Sequence, residues 1–117
     1  YYAQQLYWYY ISSYDNLTEE FIEKYQDRIY WPSIAKYQVL SEDFIRKYKD
    51  RLDWIYISTF QILSESFIRE FKDYVDWICI SENQKLSEEF ICEFKDKVYW
   101  KAIYSFGLPA STKEEIE

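Results

Sequence analysis

The stretch W-I-Y-I-S-T-F-Q-I-L-S-E-S-F-I-R-E-F-K-D-Y-V-D-W, Trp54 to Trp77, holds one complete structural period of this chain. It opens and closes on tryptophan. The same interval of 23 residues extends in both directions, through Trp8, Trp31, Trp54, Trp77 and Trp100. A spacing held without slip marks an internal repeat. Other positions keep step with it: Leu17, Leu40, Leu63 and Leu86; Phe21, Phe44, Phe67 and Phe90; Ile22, Ile45, Ile68 and Ile91; Asp27, Asp50, Asp73 and Asp96. Ile11, Ile34, Ile57, Ile80 and Ile103 match in every copy. The unit reads W-x-x-I-[SA]-x-[YF]-Q-x-L-S-E-x-F-I-x-x-[YF]-x-D-x-[VIL]-x.

Each unit carries two helix signals. Ser64 stands as an N-cap before Phe67 and Ile68, with Leu63 and Ile68 placed for a hydrophobic staple. Glu65 sets negative charge at the positive end of that helix. Phe67, Phe71 and Val75 follow at intervals of four, so a longer helix is expected over about 64–74. A shorter helix precedes it. Asp53 and Asp76 are N-caps directly before Trp54 and Trp77. Trp54, Ile57 and Phe60 share one face over two turns. Pro32 falls in a first turn, where a missing N–H costs nothing. Helices this short are marginal alone and must stack. The fold class is therefore all-α, an α-solenoid of 23-residue helix-turn-helix repeats.

The expected organisation is one solenoid domain over 1–109. It comprises a partial repeat 1–7, repeats 8–30, 31–53, 54–76 and 77–99, a terminal short helix 100–106 ended by Gly107 and Pro109, and a polar tail 110–117. Tyr2 and Leu6 fit the aromatic and aliphatic slots of the longer helix, which places the opening inside that element. The chain contains no methionine, which reads as a processed start or a piece of a longer array. The run Tyr7-Trp8-Tyr9-Tyr10-Ile11 suggests a poorly capped end, suited to further repeats or a docking partner.

The unit L-S-E-x-F-I-x-x-[YF]-x-D-x-[VL]-D-W, clearest from Leu40 to Trp54 and Leu63 to Trp77, resembles repeats in uncharacterised proteins of giant amoebal viruses of the mimivirus kind. The resemblance spans residues 2 to about 106. It implies a viral source and a recognition or scaffold role, placed in host cytoplasm or virion. It implies no catalytic, cofactor-binding or metal-binding residue.

Composition sets the function classes. Of 117 residues 49% are apolar and 23% aromatic, which opposes disorder. Fourteen basic and 21 acidic residues give a net charge of −7, which disfavours nucleic acid and anionic membrane as partners. No apolar run is long enough to span a bilayer, and no secretory leader opens the chain. With no histidine, Ser-His and Cys-His chemistry is impossible. With one glycine, no phosphate loop can form. The chain reads as no enzyme, with no cofactor or small-molecule ligand expected.

Cys79 and Cys92 occupy variable slots and read as free thiols, with a disulfide between neighbouring helices as the lesser alternative. The Asp27, Asp50, Asp73, Asp96 series reads as serving the solenoid rather than a cation ladder. The tryptophans read as a core seam rather than a ladder for bases or sugars. The cluster Arg46, Lys47, Lys49 and Arg51 is balanced by Glu42, Asp43 and Asp50 and reads as a solvated face.

Variable apolar positions point to function. Tyr9, Ile55 and Ile78 share one slot, and Tyr10 and Tyr56 share the next. These lie in the first turn of successive short helices and would stack into a stripe. Such a stripe suits a protein-binding surface, though packing against the neighbouring repeat would explain it equally. The leading expectation is a non-enzymatic scaffold that binds another protein, host or viral. The alternatives are a subunit that self-assembles by repeat stacking, and an acidic decoy of a nucleic-acid-binding protein.

Overall fold

The computed structural model describes residues 2–105, with side chains from residue 3 onward. Among these residues every regular element is a helix: α1 Tyr2–Tyr14, α2 Glu19–Lys24, α3 Trp31–Tyr37, α4 Glu42–Lys47, α5 Trp54–Phe60, α6 Glu65–Glu70, α7 Trp77–Asn83, α8 Glu88–Glu93 and α9 Trp100–Ser105. The odd-numbered helices pack in series, α1 on α3, α3 on α5, α5 on α7 and α7 on α9. The even-numbered helices form the second layer. The molecule measures 58 × 23 × 20 Å. A helix with its side chains is about 10–12 Å across, so the two shorter dimensions correspond to two layers. The expected α-solenoid of helix-turn-helix repeats is present.

Local chemistry explains the boundaries. Thr18, Ser41, Ser64 and Ser87 cap the even helices, each accepting the N–H three residues on. Asp53 accepts from Ile55 and Tyr56, and Asp76 accepts from Cys79. Tyr30, before Trp31-Pro32, caps with no side-chain bond. Pro32, in the first turn, has no N–H for such an acceptor to take.

Three expectations need correction. The element following Ser64 is not the longer helix: its α-helical part is six residues, Glu65–Glu70, against seven for Trp54–Phe60. The chain continues to Val75 through a tight turn in which Tyr74 N–H bonds the Phe71 carbonyl. Secondly, no break separates the expected partial repeat 1–7 from the short helix at Trp8, because α1 runs unbroken from Tyr2 to Tyr14. Leu6 stays 51% exposed where its counterparts Ile29, Leu52, Val75 and Val98 are buried. Thirdly, Phe60 is 49% exposed, while Ser58 and Gln61 are buried beside Ile57. At about 100° per residue, Ser58 and Gln61 flank Trp54 on the helix surface and Phe60 lies well to one side. The terminal helix is seen to Ser105; Phe106, Gly107, Pro109 and the tail lie outside the described residues.

The core is a double row. Ile22, Ile45, Ile68 and Ile91 face Ile34, Ile57, Ile80 and Ile103, all at most 3% exposed. The tryptophans are half-buried against this core. Trp54 lies over Phe67 and Phe71 with ring centroids at 6.3 and 5.4 Å. Its Nε1–H donates to the Lys49 carbonyl at 2.9 Å. Trp31, Trp77 and Trp100 make the same bond to Gln26, Lys72 and Lys95.

Polar side chains tie each repeat to the next. Gln61 is 6% exposed. Its Nε2 donates to the Ala35 and Gln38 carbonyls, and its Oε1 accepts from Leu40 N–H. Gln38 and Gln84 do the same one repeat earlier and later. Buried Ser12, Ser58 and Ser81 accept the backbone N–H of Tyr30, Asp76 and Tyr99. Glu19, Glu42 and Glu65 each clamp the N–H and hydroxyl of the next capping serine. A capping box is normally closed within one helix by a residue at N3. Here N3 is a buried phenylalanine, and the preceding repeat closes the box.

Candidate interaction surface

The two layers differ sharply in charge. Helices α1 and α5 carry no charged side chain; α3 carries only Lys36, α7 only Glu82 and α9 only Lys101. Helices α2, α4, α6 and α8, of six residues each, carry three or four charges apiece.

On the charged layer four basic side chains pair across repeats. Arg46 forks onto both Glu70 oxygens, through Nε and Nη2 at 2.9 Å, and also meets Asp43 at 2.7 Å. Arg69 forks onto Glu93, Lys47 reaches Glu23 and Arg51 reaches Asp27. The counter-charges for this cluster therefore come mainly from neighbouring repeats, with Asp43 the one local partner. Hydrogen bonding from Arg46 and Arg69 holds the Glu70 and Glu93 carboxyls below their ordinary range, and raises the two guanidinium groups in turn. Asp27 bonds the next repeat as expected of its series. Asp50, Asp73 and Asp96 are exposed.

The uncharged layer is aromatic. Of the sequence-predicted stripe, Tyr9, Tyr10, Ile55 and Ile78 are 47–59% exposed, and Tyr56 is half-buried. Tyr9, Ile55 and Ile78 hold one slot on helices that pack in series, with Pro32 of α3 between them. Tyr9 meets Tyr30 edge-on at 5.1 Å, beside an open groove of about 540 Å³ lined also by Trp8, Arg28, Trp31 and Pro32. Tyr10 packs on Tyr14 at 4.9 Å, and Tyr14 stacks on Tyr37. Tyr56 packs on Phe60 at 6.1 Å. Lys36 Nζ lies between these groups, 5.1–5.9 Å from the Tyr37, Tyr56 and Phe60 ring centres.

Sequence reasoning missed the most exposed apolar side chains. Val39 and Ile62 are 94% and 95% exposed, in the loops that follow α3 and α5. Tyr14, Tyr37 and Phe60 stand next to them at helix ends, half or more exposed. The signal lay one residue past the recurring glutamine: Asn16, Val39, Ile62 and Lys85 share that slot. A core position would not alternate between Asn, Ile and Lys.

Both cysteines are free and half-buried. Burial pushes the Cys79 thiol upward, so it stays protonated at neutral pH. Among the described residues no three His, Cys, Asp or Glu side chains group so as to hold a metal ion, and no helix is long and apolar enough to cross a membrane. No protein-family model, curated protein or solved structure matches this chain.

Proposed function

We propose that the chain is a non-enzymatic repeat scaffold that binds protein through the uncharged layer of odd-numbered helices. The observation that carries this reading is the continuous exposure of Tyr10, Tyr14, Tyr37, Val39, Phe60 and Ile62 along three successive repeats. Large contiguous apolar patches on soluble proteins mark interaction sites, and tyrosine and phenylalanine are enriched in their centres. The inter-repeat ion pairs lie on the opposite layer; here Tyr14 stacks on Tyr37 and Lys36 lies over Tyr56 and Phe60, which leaves half or more of most of these side chains exposed. The likeness of the 23-residue unit to repeats of giant amoebal viruses supports a viral source, with host cytoplasm or virion as its setting.

The test is a Phe60→Ser/Ile62→Ser variant, with Arg69→Gln as a control on the charged layer. Proteins retained by the wild type in affinity capture should be lost by the first variant and kept by the second. Unchanged retention by a folded Phe60→Ser/Ile62→Ser variant would sink the reading.

A further inference from the structure

We infer that the groove between α1 and the start of α3 is a second binding site, one that takes a proline-rich peptide in the extended polyproline II conformation with an acidic residue beside its prolines. Its lining does not include Tyr37, Phe60 or Ile62, and the inference does not rest on that patch.

Trp8 carries the argument. The other four tryptophans each give their Nε1–H to a backbone carbonyl five residues earlier. For Trp8 that residue is Ala3, which lies inside α1. A helical carbonyl is directed at the N–H four residues on, here that of Tyr7. Trp8 Nε1–H accordingly has no hydrogen-bond partner among the described residues. It is not sealed from water either. Among the described residues no fully buried side-chain nitrogen or oxygen lacks a partner, so the unbonded nitrogen of half-buried Trp8 reaches solvent. Packing on Tyr25, with ring centroids at 5.2 Å, holds the indole in place.

The rest of the groove sets the class of occupant. Trp8 shares the lining with Tyr9, Tyr30, Trp31 and Pro32, around an open volume of about 540 Å³. Tyr9 and Tyr30 meet at 65°, so their rings make a notch and not a flat floor. A donor with no acceptor suits a peptide carbonyl that its own backbone leaves free. Helices and sheets use their carbonyls internally, whereas a polyproline II segment has no internal hydrogen bonds. Such segments dock in aromatic-lined grooves with their backbone already in the bound shape.

Charge selects among such peptides. Helix α1 has no charged side chain, and the charged residues lining the groove are Asp27 and Arg28. Asp27 is engaged by Arg51 at 3.0 Å. Arg28 has no ion pair among the described residues, so the groove is locally positive although the chain carries −7. Exposed charges more than about 8 Å away are largely screened at physiological salt, which leaves Arg28 to set the local preference.

The test is a nuclear magnetic resonance titration of the nitrogen-15-labelled full chain. The probe is a proline peptide of about ten residues with a glutamate at each end. A glycine–serine peptide of the same length and charge is the comparison. The Trp8 indole resonance, assigned by its absence from Trp8→Phe, should shift with the proline peptide, while those of Trp77 and Trp100 stay. A dissociation constant below about 1 mM is expected. Trp8→Phe keeps the ring and loses the N–H, so it should bind about tenfold more weakly. Arg28→Glu should weaken binding about fivefold and reverse the preference between glutamate and lysine ends. Arg69→Gln, on the charged layer, should bind as the wild type does. Helical circular dichroism checks the fold of each variant. An unmoved Trp8 resonance, equal binding of the glycine–serine peptide, or unchanged affinity in folded Trp8→Phe or Arg28→Glu would each overturn the inference. The proposed function is read separately, from capture by Phe60→Ser/Ile62→Ser, so either can fail while the other stands.

Discussion

Gln61 donates its Nε2–H to the backbone carbonyl of Gln38 at 2.6 Å, and Gln84 makes the identical bond to Gln61. Each buried glutamine is thus both a link to the preceding repeat and the anchor for the next. Its amide offers two donors and an acceptor, and the site uses all three. Leucine at 61 would fill the space yet strand Leu40 N–H and two carbonyls. We expect Gln61→Leu to cost about 3–5 kcal/mol, read from urea unfolding at pH 7. A loss below about 1 kcal/mol would show that water reaches the site.

Gln61→Glu adds a pH signature to the same position. A carboxyl facing two carbonyl oxygens in the core is favoured when protonated, so its folded pKa lies above the unfolded value of about 4.3. Such a group contributes stability that is full below the unfolded value and is lost as pH rises through the folded one. The variant should therefore approach wild-type stability near pH 4 and fall furthest behind at pH 7. A penalty independent of pH would refute this account.

The serine ladder has one gap. Ser12, Ser58 and Ser81 hold the N–H of Tyr30, Asp76 and Tyr99, but Ala35 stands in the matching slot and Asp53 N–H has no partner among the described residues. Ala35 is fully buried in the same surroundings as Ser58. Ala35→Ser should stabilise the chain by about 1 kcal/mol, and Ser58→Ala should cost about as much or more. Thermal melts of the two variants should move in opposite directions.

What was legible in the sequence divides along a physical line. The 23-residue period, the caps at Ser64, Asp53 and Asp76, and the apolar rows of Phe67, Ile68 and Ile57 rest on residue type and local spacing, which a single chain displays. The glutamine and serine ladders were visible as recurring letters, but their purpose depends on a neighbour 18–26 residues away. Phe60 was misplaced because a seven-residue helix gives too few turns to fix its face. The second helix was overextended because the apolar spacing of Phe71 and Val75 persists through a turn that is no longer α-helical. Variable apolar slots pointed to Tyr9, Tyr10, Ile55 and Ile78, which are exposed on the odd-numbered helices. They missed Val39 and Ile62, since exposure in a loop leaves no periodic trace.

Acid should loosen the charged layer in a defined way. Glu70 and Glu93 titrate below their ordinary value of 4.5 because Arg46 and Arg69 bond them. A carboxylate with a depressed folded pKa contributes stability present above its unfolded pKa and lost as pH falls through the folded one. The window therefore opens near 4.5 and extends downward. Both pairs are exposed, so the effect is modest and screened by salt. Arg46→Gln/Arg69→Gln should lower the melting temperature at pH 6 more than at pH 3. An equal shift at both values would show that the pairs contribute nothing to this pH dependence.

Trp54 separates a structural seam from a ligand ladder. Its indole does two things: it covers Phe67 and Phe71, and it bonds the Lys49 carbonyl at the end of the preceding turn. Phenylalanine at 54 keeps most of the ring contact and loses the bond, so about 1 kcal/mol is expected. Alanine removes both and should cost about 3 kcal/mol. A residue retained only to stack a ligand would show little stability loss in either variant, because its exposed ring would have no task in the free protein. The graded loss from Trp through Phe to Ala, measured by chemical unfolding without any ligand, assigns the tryptophan series to the solenoid. A flat response would return it to the candidate surface and move the functional question back to the first turn of each odd helix.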